Sequence, residues 1–371
     1  MTSPSAAIVP KKKNALPMCR RLALATVAGV VVLGIIVVAW SIDRAPQETM
    51  GASSWLEWQR SAECLLPALS STLTGGALSL LPPSRDDDDE AASPPPRAAI
   101  VYLIDLARPE RVAMLRESLR ALDRHFFAAV PGTDAYPVLL FYEPRHAHGL
   151  AEHQASIVAA LAPERRHLAQ FHRVDGARFY ASVPSTPTSA ASESMGYRRM
   201  CRFWAMGVFH EPAVRALEYY WRLDTDLYLL RPIALDPFRT LMRAPTDYLF
   251  GAWSREAPEV VEGLWDAVRA FAAARNRSTA RLVAEYGAGR AGERYNLRMI
   301  YNNFEVVRVA LWRDSAAYAD LYASALEEGI FQRRWGDAPI RTLALALLFP
   351  EARVAKWRGL CYHHAATQWT L

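Results

Sequence analysis

Short apolar runs and longer amphipathic stretches alternate along the chain from residue 98 onward. Ala99 to Ile104 and Pro137 to Glu143 look like strands, and each is followed by a helical pattern, from about Glu110 to Phe127 and then to about Leu161. C-terminal to them the pattern predicts a strand from Tyr248 to Trp253 and helices from Tyr197 to Leu217, Pro258 to Arg275, Ala316 to Glu328 and Ile340 to Phe349. Alternation of strand and helix predicts an α/β domain whose mixed sheet is mostly parallel and flanked by helices.

Two carboxylates interrupt another apolar run, Tyr219 to Leu230, whose sequence is YYWRLDTDLYLL. In a strand, residues two apart point the same way, so Asp224 and Asp226 should share one face at its end. Two desolvated acids repel each other unless a cation neutralises them, and oxygen ligands suit Mn²⁺ or Mg²⁺. An ordinary solvated turn is the alternative. The buried context favours a divalent metal site beyond the carboxyl end of a strand, where ligands bind in open α/β sheets.

The first 97 residues follow a different pattern. Leu22 to Trp40 is an uncharged apolar run long enough to cross a bilayer, and the basic residues lie on its N-terminal side. We therefore expect residues 1–21 to be a cytosolic tail, 22–40 a permanent signal anchor and 41–97 a lumenal stem rich in proline and acids. A cleaved signal peptide is the alternative, but Ala39-Trp40-Ser41 is a poor cleavage site.

Composition narrows the class of protein. The net charge of +5 and the pI near 9.0 could suggest nucleic-acid binding, but the arginines are scattered among acids and no nucleic-acid motif is present. The four cysteines lie far apart without a Cys-x-x-Cys pair, which argues against a zinc ribbon or a thioredoxin-type site. Asn276-Arg277-Ser278 is the one glycosylation sequon, and its use depends on a lumenal location.

Several ordered segments together resemble the fungal α-1,2-mannosyltransferases of glycosyltransferase family 15. The resemblance rests on six segments: Gly196 to Phe203, Tyr220-Trp221-Arg222, Asp236-Pro237-Phe238, Tyr295-Asn296, Asn303-Phe304-Glu305 and Arg334 to Pro339. It implies a GT-A-type fold, a GDP-mannose donor, Mn²⁺ and retention of the α configuration. It also implies a single-pass type II protein of the Golgi membrane whose catalytic domain, residues 98–371, lies in the lumen.

The resemblance assigns the metal and nucleotide residues as follows. Asp224 and Asp226 stand where the family has Glu-Pro-Asp, and His364 stands at its metal-binding histidine, although His363 takes that role if the register slips. Which of the two aspartates is the direct ligand stays open. A surface histidine in the C-terminal tail is the alternative for His364.

Other cleft residues are implied in the same way. Glu305 matches the family's proposed nucleophile or oxocarbenium stabiliser, and Asp337 is a candidate for binding donor-sugar or acceptor hydroxyls unless it only caps a helix. Tyr197 and Arg222 match residues near the diphosphate; a buried tyrosine and a structural ion pair are their alternatives. Arg108 is expected to contact the nucleotide, although Pro109 departs from the family pattern.

The chain also departs from the family elsewhere. Arg298 replaces a family cysteine, so a disulfide at that position cannot form. Cys201 could instead pair with Cys361 or Cys64, and the sequence does not decide between them. The acceptor specificity of the fungal enzymes should not be inherited.

These features lead to one hypothesis and two rivals. The hypothesis is a mannosyltransferase that binds a nucleotide-sugar donor, a mannose-terminated glycan or glycoprotein acceptor and a membrane, but no nucleic acid. A homo- or hetero-oligomer in the Golgi is compatible with it. The rivals are the same fold using another nucleotide sugar, and a catalytically silent Golgi scaffold or glycan-binding protein.

Overall fold

The computed structural model describes residues 94–181, 195–233, 235–244, 246–357 and 360–364. The predicted cytosolic tail, the predicted anchor at 22–40 and nearly all of the predicted stem lie outside these ranges. Among the described residues, none of the helices has the length and apolar character needed to cross a bilayer.

Eleven strands are present in the described residues. In chain order they are β1 Ala98–Ile104, β2 Val138–Tyr142, β3 Ala169–Arg173, β4 Tyr219–Leu223, β5 Leu227–Leu229, β6 Tyr248–Arg255, β7 Gly287–Ala288, β8 Arg294–Tyr295, β9 Arg298–Arg308, β10 Val354–Lys356 and β11 Tyr362–His364. Seven of them form the central sheet in the order β10-β6-β9-β4-β1-β2-β3. The other four form two small ribbons, β5 with β11 and β7 with β8.

Twelve α-helices connect and cover these strands in the described residues. They are α1 Pro109–Leu122, α2 Ala147–Val158, α3 Gly176–Phe179, α4 Met195–Ala205, α5 Pro212–Arg215, α6 Pro237–Arg243, α7 Leu264–Ala274, α8 Ala280–Tyr286, α9 Val309–Arg313, α10 Ala316–Leu321, α11 Glu327–Arg333 and α12 Asp337–Leu348. A π-helical segment, Asp123–Phe127, extends α1, and a second, Tyr322–Leu326, joins α10 to α11.

The central sheet is mixed, as predicted. β9 is antiparallel to both of its neighbours, β4 and β6, whereas the other adjacent pairs are parallel. The register places Glu305 on β9 opposite Arg222 on β4 and Phe250 on β6. Because β1 is parallel to both β2 and β4, the carboxyl ends of these three strands lie at the same edge of the sheet.

The sheet is buried on both faces, which explains the continuous apolar runs of its central strands. Ile100 and Tyr102 on β1 pack with α1 on one side. Val101, the residue between them, belongs to the core on the other side, where α12 contributes Leu343 and Ala344. The strand pattern seen in the sequence is thus the signature of a sheet covered by helices on both sides.

Two predicted helices are markedly shorter in the structure. The helix expected from residue 197 to 217 ends at Ala205, and a separate short helix begins at Pro212, whose ring cannot continue a preceding helix. The helix expected from residue 258 begins only at Leu264, because Gly263 before it adopts a left-handed φ of 76°. β3, with the sequence AQFHR, was not predicted because it lacks an apolar run.

Candidate functional site

A cleft of about 350 Å³ opens beyond the carboxyl ends of β1, β2 and β4. This is the position that the topology of an open α/β sheet favours for a ligand. Seven of the eight side chains singled out in the sequence line it: Arg108, Tyr197, Arg222, Asp224, Asp226, Asp337 and His364. The eighth, Glu305, does not.

Asp224, Asp226 and His364 form a compact cluster in this cleft. Each offers a ligand atom, and the three atoms lie within 4.8 Å of one another. The sequence predicted that the two aspartates share one face at the end of a strand, and this prediction is wrong. β4 ends at Leu223, and a turn closed by the hydrogen bond from Leu227 N to Asp224 O carries both acids. The turn brings the two carboxylates together without strand alternation.

The β5–β11 ribbon supplies the histidine. β11 pairs with β5 so that His364 lies opposite Leu227, directly after the acidic turn. His364 Nε2 lies 3.2 Å from Asp226 Oδ1 and 3.7 Å from Asp224 Oδ2. His363 instead stacks on Tyr228, so the structure places His364, not His363, beside the acids.

The cluster is electrostatically coupled. Burial opposes protonation of His364, but hydrogen bonds and attraction from Asp224 and Asp226 outweigh it and raise the imidazole pKa to about 9. Burial works against ionisation of Asp224, yet the neighbouring Arg222 and His364 hold the pKa of that carboxyl below its usual value. The carboxylates thus attract cations in the folded protein.

The donor set fits a divalent cation such as Mn²⁺. Two carboxylates and one imidazole are a ligand combination that suits Mn²⁺, with substrate oxygens completing the shell. The Tyr301 hydroxyl lies 3.1 Å from His364 Nδ1, which leaves Nε2 directed at the acids. A hydrogen bond of this kind on the second ring nitrogen orients a metal-binding histidine.

Arg222 connects this cluster to another carboxylate of the cleft, Asp337. Its Nε lies 2.9 Å from Asp224 Oδ1 and its Nη1 lies 2.5 Å from Asp337 Oδ2. The guanidinium also lies 4.2 Å above the ring of Trp204. Asn302 Nδ2 donates a second hydrogen bond to Asp337 Oδ2 at 2.8 Å. Asp337 is therefore held by two side chains at the wall of the cleft.

The structure decides against the capping role for Asp337. α12 begins at Asp337, its N-cap is Gly336, and no side chain caps it. The carboxylate points instead to Arg222 and Asn302. Arg222, which could have been only a structural ion pair, does form ion pairs, but with two residues that line the cleft.

Glu305 occupies a different place from the one expected. Its side chain is fully buried beneath the cleft, where Arg341 Nη1 lies 2.9 Å from Oε1. The hydroxyls of Tyr220 and Tyr248 also donate to this carboxylate. On β9 it lies two residues beyond Asn303, the last residue of this strand that lines the cleft. In this conformation Glu305 contacts Arg341 and not the space where a sugar could lie.

Tyr197 and Arg108 also line the cleft. Tyr197 is half-buried, and the guanidinium of Arg334 lies 4.7 Å from its ring centre. Arg108 immediately precedes α1, and Pro109, the departure noted in the sequence, is simply the first residue of that helix. Arg108 Nε lies 2.7 Å from Asp105 Oδ2, so this arginine is already paired with a carboxylate.

The sequence did not single out several other polar residues of this cleft. Among them are Arg111, which lies 3.5 Å from Asp226, and Tyr301, Asn302 and Asn303. The Asn303 amide nitrogen is buried without a hydrogen-bond partner among the described residues, a donor that an anionic ligand could use. Asn302 and Asn303 follow one another in a strand, and only the three-dimensional structure shows that both reach the cleft.

The structure shows the bonding state of two of the cysteines. Cys201 is a free, buried thiol, and Cys361 is disulfide-bonded. The pairing of Cys201 with Cys361 or Cys64, considered from the sequence, is therefore wrong.

The chain is similar to curated fungal proteins over part of its length. It is 31% identical over 174 residues to the glycolipid 2-alpha-mannosyltransferase 1 of Candida albicans, which covers 46% of this chain and 40% of that protein. It is 28% identical over 173 residues to the alpha-1,2 mannosyltransferase KTR1 of Saccharomyces cerevisiae, covering 46% and 44%. The chain thus aligns with less than half the length of these relatives.

Solved structures share the fold over more of the chain. The core-mannan synthase A (CmsA/Ktr4) of Aspergillus fumigatus in its Mn/GDP form superposes with a TM-score of 0.63 at 21% identity, over 79% of this chain and 82% of that one. The mannosyltransferase Ktr4p of S. cerevisiae gives 0.65 at 19% identity, over 86% and 82%. These likenesses confirm the expected GT-A-type α/β fold.

The family model of the glycolipid 2-alpha-mannosyltransferases matches residues 183–369, about half of the 371 residues. This match includes the acidic turn, β9, the start of α12 and His364, and so covers most of the cleft. The resemblance inferred from the sequence motifs is confirmed, and the chain belongs to the glycolipid 2-alpha-mannosyltransferase family.

Proposed function

We propose that the protein is a retaining mannosyltransferase that moves mannose from GDP-mannose to a mannose-terminated glycan and forms an α-1,2 linkage. The observation that carries this proposal is the cluster of Asp224, Asp226 and His364, joined through Arg222 to Asp337 within one cleft. Family membership supports the sugar and the nucleotide. The Mn/GDP form of the A. fumigatus relative supports the metal.

The cleft residues divide into two groups in this proposal. Asp224, Asp226 and His364 hold Mn²⁺, which when bound offsets negative charge on the departing GDP. Arg222 and Tyr197 lie where a guanidinium and a hydroxyl can hydrogen-bond the diphosphate, and charge-assisted hydrogen bonds of this kind are among the strongest.

Asp337 and Glu305 have different parts. Asp337, fixed by Arg222 and Asn302, accepts hydrogen bonds from sugar hydroxyls at the cleft wall. Glu305 remains the family's candidate for stabilising charge on the sugar. Because its carboxylate contacts Arg341, this role requires either that the side chain rearranges or that its negative charge acts on the sugar through its electrostatic field. The position of Arg108 in the cleft, directly before α1, fits contact with the nucleotide.

The cellular setting is part of the proposal. The apolar run at 22–40, preceded by basic residues, fits a type II protein of the Golgi membrane with its catalytic domain in the lumen, where a glycan acceptor would be met. An oligomer of this enzyme or with other Golgi enzymes is compatible with that setting.

Calorimetric titration of the fragment from residue 98 with GDP and with UDP, each with and without Mn²⁺, tests the donor and the metal. We expect GDP binding that requires Mn²⁺ and no UDP binding. UDP binding would assign another nucleotide sugar, and absence of both from folded protein would favour a silent scaffold. Turnover of GDP-mannose with α-mannoside acceptors, followed by NMR of the product linkage, tests the transfer itself.

A further inference from the structure

Two further carboxylates of the cleft follow the ends of neighbouring strands. β1 and β2 are parallel neighbours with Ile104 opposite Tyr142, so the next residues, Asp105 and Glu143, follow the two strand ends together. Both line the cleft. Nothing in the proposed transfer chemistry uses either of them.

Asp105 is already occupied by groups of the protein itself. Its Oδ1 accepts a hydrogen bond from Ala107 N at 2.9 Å, and its Oδ2 accepts one from Arg108 Nε at 2.7 Å. His146 Nδ1 lies 3.8 Å from Oδ1. Asp105 thus shapes the loop after β1 and holds Arg108, and it has little capacity left for a ligand.

Glu143 is oriented but has an open acceptor. The Tyr180 hydroxyl donates to Oε2 at 2.7 Å. The Tyr180 ring is itself held by the guanidinium of Arg145, 4.2 Å from its centre, and that of Arg199 at 5.0 Å. Among the described residues, no group hydrogen-bonds Glu143 Oε1. The half-buried carboxylate therefore presents acceptor positions to the cleft in a fixed orientation.

The spacing of the strands indicates which part of a ligand would reach Glu143. β4, which leads into the metal cluster, is separated from β2 by β1 alone, so the two strand ends lie about 10 Å apart at roughly 4.8 Å per strand. A nucleotide whose diphosphate lies at the end of β4 can place its ribose near β1 and its base near β2. The base edge that faces an acceptor-only carboxylate must carry donors.

We propose that Glu143 reads the base of the donor nucleotide, accepting hydrogen bonds from the N1–H and the exocyclic amino group of guanine. Adenine presents an unprotonated nitrogen at N1, and uracil flanks its single N–H with carbonyl oxygens that repel a carboxylate. Glu143 is then a specificity-determining residue for a guanosine nucleotide. This inference rests on the proposed function, because it assumes that the diphosphate lies at the acidic turn.

Binding of GDP and of inosine diphosphate (IDP), which lacks only the exocyclic amino group, is the test. Calorimetry in the presence of Mn²⁺ should give wild-type protein a preference for GDP of about tenfold to a hundredfold, the range of one hydrogen bond to a charged group. Glu143→Gln should weaken GDP binding and reduce the GDP-to-IDP preference to less than about threefold. Tyr180→Phe, which removes the orienting hydroxyl, should reduce it in part.

Glu152→Gln, which alters an exposed acid on α2, is the matched control and should keep the wild-type preference. Equal binding of GDP and IDP by wild-type protein would overturn the inference while leaving the proposed function intact. Loss of the preference in Asp105→Asn but not in Glu143→Gln would assign base recognition to Asp105 and also overturn it. Failure of wild-type protein to bind GDP at all would instead contradict the proposed function.

Discussion

Arg222 bridges two carboxylates that lie at different places in the cleft, with Nη1 2.5 Å from Asp337 and Nε 2.9 Å from Asp224. The arginine itself is buried, so water screens these interactions little. Asp224 follows β4 and Asp337 begins α12, and one guanidinium fixes the separation between the metal cluster and the sugar-binding wall. Its planar fork, with donors in fixed directions, can do this where a lysine cannot.

Replacing Arg222 with methionine should therefore cost stability as well as activity. The change leaves the buried carboxylate of Asp337 without its ion-pair partner, and removal of one partner of a buried pair costs about 3–5 kcal/mol in the free energy of unfolding. Urea unfolding measures this cost. Arg275→Met is the control, because Arg275 pairs with Asp320 at the exposed surface and its loss should leave the free energy of unfolding unchanged. A stable Arg222→Met protein would contradict the structural role.

Glu305→Gln separates the two roles considered for this residue. If Glu305 acts only on the sugar, the variant should lose turnover and keep its stability. The structure predicts a different result, because the fully buried Arg341 loses its charged partner, at a cost of about 3–5 kcal/mol in the free energy of unfolding. The double variant Glu305→Gln/Arg341→Met should recover much of that stability. Urea unfolding of both variants decides, and unchanged stability in Glu305→Gln would count against a buried ion pair.

The sequence predicted the parts of the fold whose signal is local. β1, β2 and β4 are apolar runs buried on both faces, and the acidic pair was found because two carboxylates interrupt such a run. The bounds of the helices were less certain, since breaks such as those at Pro212 and Gly263 depend on single residues. β3 has no apolar run at all, and its pairing with β2 becomes evident only in the sheet.

The residues of the candidate site could be predicted where they belong to a sequence motif, but not where their position depends on packing. Asp224, Asp226 and His364 are far apart in sequence, and only the family resemblance linked the histidine to the acids before the structure showed them together. The same resemblance gave no sign that Glu305 is enclosed by Arg341 and two tyrosines. Burial of that kind depends on the register of β9 against β4. A sheet buried on both faces lacks the alternation of apolar and polar residues that would specify this register from the sequence.

Glu211 gives a prediction about pH. It is buried, and loss of solvation raises the pKa of its carboxyl above the ordinary value, although Asp175 N donates a hydrogen bond to it at 3.1 Å. A raised carboxyl pKa means that the folded protein disfavours the charged form, so this group contributes stability below its unfolded pKa and loses it as pH rises through the folded pKa. Glu211→Gln should therefore be more stable than wild type at pH 7 and equal to it well below pH 4.5, the ordinary value for glutamate. Thermal unfolding at both pH values measures the difference, and a destabilised variant at pH 7 would contradict the assignment.

Tyr301→Phe tests whether the orientation of His364 matters for the metal. The hydroxyl lies 3.1 Å from His364 Nδ1, and removing such a partner from a metal-binding histidine lowers metal affinity by about 10- to 100-fold. Calorimetric titration with Mn²⁺ in the presence of GDP measures that affinity. Tyr228→Phe removes a hydroxyl from β5, where the ring stacks on His363 instead, and should leave the affinity unchanged. If both variants bound Mn²⁺ with wild-type affinity, Tyr301 would not orient the histidine ligand. If both variants lowered the Mn²⁺ affinity equally, the effect would come from the β5–β11 ribbon and not from this hydrogen bond.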